Sequence, residues 1–407
     1  MKRLSFISMT AAILTMAFAS FGLIVTNAFA QDVTITIKKG DDKPDSKPPF
    51  TGKRPAVDVA ILLDTSNSMD GLINQAKTQL WKIVQQFGEA EKAGKTPELR
   101  VSIFEYGNSG LPASEGYIRQ VVSLTDDLDK VSEALFALKT NGGDEYCGQV
   151  IDEALKRLDW SSQPNAYKAI FIAGNEPFTQ GPVSYNNACK KAIQSGVVVN
   201  TIHCGAYKAG VSGMWQQGAS LAEGEFLNIN QDRAVVHVKS PQDKIIIELN
   251  RELNKTYLWF GDSRTRKYYS DNQIAQDKNA FDASGGAGFG GGRGKTKASK
   301  AYGNRGRDLV DTLEEKPEIL STLKTQSLPE SMQGLNAKER KEYVQKMATK
   351  RGEIQQKMKD AIKQRDAYVA GKRKELADAD ESTFGDAIVQ AVQKQLKESG
   401  FELNKNE

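Results

Sequence analysis

From Val57 to about Gly261, strand-like and helix-like patterns alternate along the chain. Candidate strands run from Val57 to Leu63, Leu99 to Tyr106, Tyr117 to Leu124, Tyr167 to Ala173, Val197 to His203 and Glu225 to Ile229. Between them, apolar residues recur at helical spacing in Leu72 to Phe87, Leu128 to Leu138, Gly148 to Leu158, Asn186 to Gln194 and Pro241 to Tyr257. This alternation predicts a parallel sheet with helices on both faces. One connection departs from it: the stretch between Tyr106 and Tyr117 is rich in Gly, Asn, Ser and Pro and too short for a crossover helix, so those two strands should pair antiparallel. The fold class expected is therefore α/β, a doubly wound, mostly parallel sheet with one antiparallel edge strand, followed by a helical C-terminal region. In the last of the alternating helices, Ser240 offers an N-cap oxygen, Pro241 suits the first helical position, and Ile245, Leu249 and Leu253 fall on one face.

Past Gly261 the pattern changes twice. Residues 262–307 read as a Gly-rich basic linker, and residues 308–407 as a strongly charged helical region. Within the latter, Asn336 to Leu376 contains no Pro and places Val344, Met347, Ile354, Met358, Ala361 and Tyr368 at roughly coiled-coil spacing, interrupted by Arg351 and Arg365. A long helix packed on a neighbour such as Phe384 to Leu396, through Ile388, Val389 and Val392, makes a helical hairpin or small bundle the expected form. Self-association through the seam is the sharper alternative. Residues 55–261 form the expected α/β domain.

Composition narrows the function class. A chain of 407 residues with 39% apolar residues can bury a real core, and a formal net charge of +4, two of which are Lys2 and Arg3, gives no reason to expect nucleic acid as a partner. Lys2-Arg3, a mostly apolar stretch from Leu4 to Val25 and then Ala28-Phe29-Ala30 read as an export signal over residues 1–30, with cleavage expected before Gln31 and an uncleaved anchor as the alternative, since the stretch is long for a signal peptide. No later segment is apolar for long enough to span a bilayer, so the expected product is an exported chain in the periplasm or outside the cell. Residues 31–54 read as a solvated linker with a short candidate strand at Val33 to Ile37. Three cysteines remain after export, Cys147, Cys189 and Cys204; one disulfide, or three small buried hydrophobes, accounts for them equally well.

The chemistry concentrates behind the first strand. Asp64-Thr65-Ser66-Asn67-Ser68 brings a carboxylate and hydroxyls to one point at a sheet edge, which is how a site for a hard divalent cation is built. In a mostly parallel sheet, ligands collect beyond the carboxyl ends of the strands where strand order reverses, and Asp64 sits at such an end.

The segment Asp64-x-Ser66-x-Ser68 after an apolar strand, with this succession of elements, resembles the von Willebrand factor type A domain and its metal-ion-dependent adhesion site, over roughly Arg54 to Gly261. The resemblance implies that Asp64, Ser66 and Ser68 form the first metal-binding loop. It asks for a Thr in a second loop, where Asp144 of Asn141-Gly142-Gly143-Asp144-Glu145-Tyr146 stands in that position and Thr140 competes with it. It asks for an Asp in a third loop, which here reads Gly174-Asn175-Glu176, so that Glu176 or Asn175 would supply the oxygen. The implied metal set is Asp64, Ser66, Ser68, Asp144 and Glu176. Being oxygen-only, it favours Mg²⁺, with Mn²⁺ or Ca²⁺ as alternatives, over Zn²⁺. The mode of recognition implied is a protein partner whose Asp or Glu carboxylate fills an open position on the cation. Met69 and Asp70 read as rim residues.

Other constellations are weaker. Gly294-Lys295-Thr296 matches the end of a phosphate-binding loop, but Phe289 stands where its first glycine belongs, and no apolar strand precedes it. The His203-Cys204 pair cannot act as nucleophile and base, because neighbours in a strand point to opposite faces. The expectation is a binding or adhesion protein and not an enzyme. An envelope scaffold acting through its C-terminal helices is the alternative, and a metal-dependent hydrolase a weaker one.

Overall fold

The computed structural model describes residues 54–88, 90–229, 238–283, 292–376 and 384–403. The expected leader, the linker at 31–53, the candidate strand at Val33 to Ile37, and His237 lie outside them.

The strands are β1 (Ala56–Asp64), β2 (Ala90–Glu91), β3 (Glu98–Tyr106), β4 (Arg119–Thr125), β5 (Tyr167–Gly174), β6 (Val198–Cys204), β7 (Phe226–Ile229) and β8 (Glu402–Leu403). Six of them form one sheet in the order β4-β3-β1-β5-β6-β7. All neighbours in it are parallel except β3 and β4, the pair joined by the short polar connection. β1 is buried along its whole length, as a central parallel strand must be. The chain leaves it for β3 on one side and later returns to β5 on the other, so strand order reverses at β1. The crevice of this sheet opens at the carboxyl end of β1.

The helices of the domain are α1 (Ile73–Gly88), α2 (Leu128–Ala137), α3 (Cys147–Arg157), α4 (Tyr185–Gln194), α5 (Tyr207–Ser212), α6 (Trp215–Leu221) and α7 (Gln242–Asn254). Val57, Val59, Ile61 and Leu63 of β1 point into one apolar layer with α1 and α2, while Ala60 and Leu62 point into the other with α3 and α4. All three cysteines are free and buried, so they serve as small core residues.

α7 departs from the expected pattern. Its buried positions are Asp243, Ile246, Asn250 and Leu253, and Ile245 is exposed. The hidden face carries two polar residues with partners of their own, which a search for apolar periodicity passes over. Ser240 does not cap the helix with its hydroxyl; its backbone N–H donates to the Asp243 carboxylate at 2.7 Å.

Residues 262–307 are not a linker in the described part. α8 (Ser263–Ala283) and α9 (Arg293–Ala298) are helices packed into the molecule. α8 reads as solvated because its buried face is made of Asn272, Gln273, Gln276, Asp277 and Asn279, paired with polar groups rather than with apolar ones. α9 buries Arg293 and Lys297 completely. The composition is basic and Gly-rich, but Arg293, Lys297 and Arg307 are used internally.

The rest is helical: α10 (Leu309–Leu313), α11 (Ile319–Thr322), α12 (Glu330–Gln333), α13 (Ala337–Leu376) and α14 (Phe384–Glu398). α13 lies along α7 and α9, whereas α14 packs on α1 and beside β7, so the two do not form the expected hairpin. Ile354, Met358 and Ala361 of α13, with Ile388 and Val392 of α14, join the same apolar layer as β1 and α1. Arg351 and Arg365 do not interrupt the α13 seam but belong to it. Arg351 reaches Asp308 and Asp311, and Arg365 reaches Asp243 at 2.8 Å. Tyr368, expected on the seam, is exposed. Among the described residues, no helix is long and apolar enough to cross a membrane.

Candidate metal centre

β1 delivers Asp64 to the sheet edge fully buried, and the chain turns at once. Thr65 N–H donates to the Tyr106 carbonyl at 2.9 Å, and Ser66 N–H donates to Asp64 Oδ1 at 2.8 Å. A single turn of 3₁₀ helix at Asn67–Met69 follows, anchored by Met69, which is fully buried and is therefore a core residue, not part of the rim. The Ser66 and Ser68 hydroxyls end 2.7 Å apart. Asp64, Ser66 and Ser68 are thus brought together as the sequence implied.

The second loop differs from expectation by one residue. Asp144 is exposed, and its carboxylate accepts a hydrogen bond from Tyr146 Oη at 3.3 Å. Glu145 turns inward instead: it is 6% exposed, and its Cγ borders the same space over Gly107 as Asp64 Oδ1. Thr140, the other candidate, hydrogen-bonds the Asp70 carboxylate. Adjacent residues in an irregular loop carry no periodicity, so sequence had no means of choosing Glu145 over Asp144.

The third loop has a steric explanation. A side chain on Gly174 would place its Cβ 2.5 Å from the Tyr106 hydroxyl and 3.1 Å from Asp64 Oδ2. No carboxylate can therefore stand directly at the end of β5. Asn175 acts in its place, accepting from Ser68 Oγ at 3.0 Å and donating from Nδ2 to the Ser68 carbonyl at 3.0 Å. Glu176 is half-buried at the rim, close enough for its charge to raise the Glu145 carboxyl. Its carbonyl is held by Trp215 Nε1 at 2.7 Å. His203 contributes position only: Nδ1 faces the Asn228 amide at 3.1 Å, so the Nε2 proton meets the Asn175 carbonyl at 3.3 Å. Its neighbour Cys204 points into the opposite apolar layer, as strand geometry requires.

The electrostatics of this cleft are those of a site built for positive charge. Burial raises the Asp64 carboxyl to about 7, with Glu145 adding repulsion and the Ser66 N–H and hydroxyl opposing both. Burial also raises Glu145, helped by Glu176 and Asp144. Asp64 Oδ2 is buried with no hydrogen-bond partner. On the Oδ1 side, Gly107, at φ +75°, leaves open a space in which a Cβ would approach Asp64 Oδ1 to 2.8 Å and Glu145 Cγ to 3.0 Å. An unsatisfied buried carboxylate oxygen facing hydroxyls is costly unless something cationic meets it. Among the described residues, no three His, Cys, Asp or Glu side chains converge as a metal cluster.

Comparison with known proteins agrees with this architecture. The model of the von Willebrand factor type A domain matches residues 58–222. Similar solved structures include BatB from Bacteroides thetaiotaomicron, 17% identical with a TM-score of 0.34 over 43% of this chain and 91% of that one. The SpRpn10 VWA domain is 16% identical, with a TM-score of 0.35 over 44% of this chain and 91% of that one. Proximal thread matrix protein 1 from the mussel byssus, with a zinc-occupied MIDAS motif, is 17% identical, with a TM-score of 0.34 over 44% of this chain and 43% of that one. No curated protein sequence matches. The mostly parallel sheet, five of whose six strands fall wholly or mainly within the matched span, accords with that match: residues 58–222 of this chain are a von Willebrand factor type A domain.

Proposed function

We propose that the chain is an exported binding module that engages a protein partner through a divalent cation, Mg²⁺ before Mn²⁺ or Ca²⁺, at the carboxyl edge of the sheet. The observation that carries this reading is the buried Asp64 carboxylate at the strand end, its Oδ2 without a hydrogen-bond partner, in a loop whose Ser66 and Ser68 hydroxyls end 2.7 Å apart. Asp64, Ser66 and Ser68 would hold the cation, with Glu145 in the role first given to Asp144 and with Asn175 fixing Ser68. A cation bound there by neutral hydroxyls and few carboxylates supplies residual positive charge and an open position for an Asp or Glu of the partner. Glu176 and Asp144, at the rim, would repel that carboxylate when the site is metal-free, which makes recognition cation-dependent.

Isothermal titration of Mg²⁺, Mn²⁺ and Ca²⁺ into the full chain should show one site, lost in Asp64→Ala and retained in Asp144→Ala. No heat with any of the three ions would sink the proposal. Export is tested separately by sequencing the N-terminus of the secreted product, expected at Gln31. The scaffold alternative is less favoured, because α13 and α14 spend their apolar faces on the domain itself.

A further inference from the structure

Far from the sheet edge, the end of α7, the middle of α8 and α9 meet in a buried polar cluster that the proposed function does not use. At its centre is Lys297, whose side chain has no exposure. Its Nζ contacts Oδ1 of the Asn254 carboxamide and lies 2.9 and 3.1 Å from the two oxygens of Asp277. The same Asp277 Oδ2 accepts from Asn254 Nδ2 at 2.8 Å and from Asn250 Nδ2 at 2.8 Å. One carboxylate therefore touches both the amine and the amide nitrogen of the carboxamide that the amine faces. Arg293 fixes the carboxylate from the other side, with Nε 2.8 Å from Asp277 Oδ1, and is itself held by Asp129 at 2.6 Å. The Tyr302 ring lies 5.8 Å from Nζ and closes the cluster.

A buried amine held at the oxygen of a carboxamide, with one carboxylate touching both that amine and the carboxamide nitrogen, brings together the groups that amide exchange needs. We propose that Lys297 and Asn254 become joined by a side-chain amide bond, an intramolecular cross-link that the folded chain forms on its own, with Asp277 as the proton carrier. The free amine of Lys297 attacks Asn254 Cγ, forming the Nζ–Cγ bond. Asp277 takes the proton that Nζ then loses and passes it to Nδ2, the Cγ–Nδ2 bond breaks, and Nδ2 leaves as ammonia. One amide replaces another, so no oxidant, reductant or co-reactant is needed. Burial lowers the Lys297 ammonium to about 8, against the opposing pull of Asp277, so a minority of the amine is free near neutral pH; Asp277, held down to about 2 by Lys297 and Arg293 against its own burial, stands as the carboxylate that receives the proton. Exclusion of bulk water from the cluster protects the carboxamide from hydrolysis while the slower exchange proceeds.

The bond would tie the last residue of the α/β domain's final helix to the helical layer that follows it, closing α8 into a covalent loop. The test uses the folded full-length chain, denatured and digested with trypsin, with the peptides identified by mass spectrometry. The expected product is a branched peptide joining residues 252–255 to residues 296–300, lighter than their sum by one ammonia and uncut after Lys297. Peptide mapping is preferred to intact mass, because an N-terminal Gln31 can itself lose ammonia. Only linear peptides, with full cleavage after Lys297, would overturn the proposal. In Lys297→Arg, which keeps the charge, the branched peptide should vanish. In Asp277→Asn, checked for folding by circular dichroism, its yield should fall at least tenfold; unchanged yield in a folded variant would remove Asp277 from the reaction.

Discussion

Arg351 is the residue whose role changed most between sequence and structure, and its replacement is a demanding test of the fold. It is 5% exposed, stacks 4.1 Å over the Tyr257 ring, and donates from Nη1 to Asp308 and Asp311, each at 2.8 Å. Nη2 donates to the Thr256 carbonyl at 2.7 Å and to Asp308 at 3.1 Å, and Nε to the Thr256 hydroxyl at 3.2 Å. Arg351→Met keeps most of the apolar stem and removes the charge, leaving the fully buried Asp308 and the neighbouring Asp311 without it. Stranding buried charges in this way costs about 3–5 kcal/mol. With an unfolding entropy of roughly 2.1 cal/mol/K per residue over most of this chain, the melting temperature should fall by roughly 4–6 °C.

The pH dependence has a definite sign. Burial, then repulsion from Asp308, raises the Asp311 carboxyl to about 6 despite Arg351. The folded state thus binds this proton more tightly than the unfolded one, and the associated stability is present at low pH and lost as pH rises through 6. Without Arg351 the Asp311 carboxyl prefers the neutral form still more, so the deficit of the variant should be larger at pH 8 than at pH 5. Urea titration of wild type and variant at both values measures it. A deficit below about 1 kcal/mol, or one equal at the two pH values, would refute the reasoning that a buried ion cluster holds α13 to the domain.

Three further outcomes follow from the same geometry. Gly174→Ala should destabilise by about 1–3 kcal/mol through the clash with Tyr106, and Tyr106→Phe in the same chain should recover part of that loss in thermal melts. Asp58→Ala removes the bidentate partner of Arg100, at 2.8 and 2.7 Å, and the acceptor for Ser161 N–H at 2.6 Å; a loss of about 3 kcal/mol is expected, with cation titration unchanged because Asp58 lies at the opposite end of the strand. Gln395→Ala leaves Tyr167 and Asn200 without their buried partner, at 2.7 and 2.6 Å, so hydrogen exchange in α14 should accelerate well beyond that in β1, with a cost of about 1–3 kcal/mol.

The sheet was legible in the sequence because its signal is local. A strand buried on both faces must be apolar along its length, and each of the six predicted strands lies within one or two residues of its observed position. The meeting of Asp64, Ser66 and Ser68 was legible for the same reason, since one strand end and one turn hold all three. The other loops were not. Whether Asp144 or Glu145 faces the cleft depends on how the loop lies against Gly107, and whether position 174 can carry a carboxylate depends on Tyr106, 68 residues earlier in the chain.

The C-terminal half shows the same division from the other side. Its helices were visible as helices where apolar spacing marked them, but α8 was hidden because its buried face is carboxamide and carboxylate, and α9 because buried Arg293 and Lys297 look like solvated charges until Asp129 and Asp277 are beside them. Sequence by itself determined the α/β domain, its antiparallel edge and the gathering of Asp64, Ser66 and Ser68 at the end of β1, all of which follow from short-range pattern. Tertiary structure alone decided which carboxylate completes the cleft, and that the charged helices share the domain's core. The physical reason is that the free energy of burying a polar group is set by a partner distant in sequence, and no local pattern records that partner.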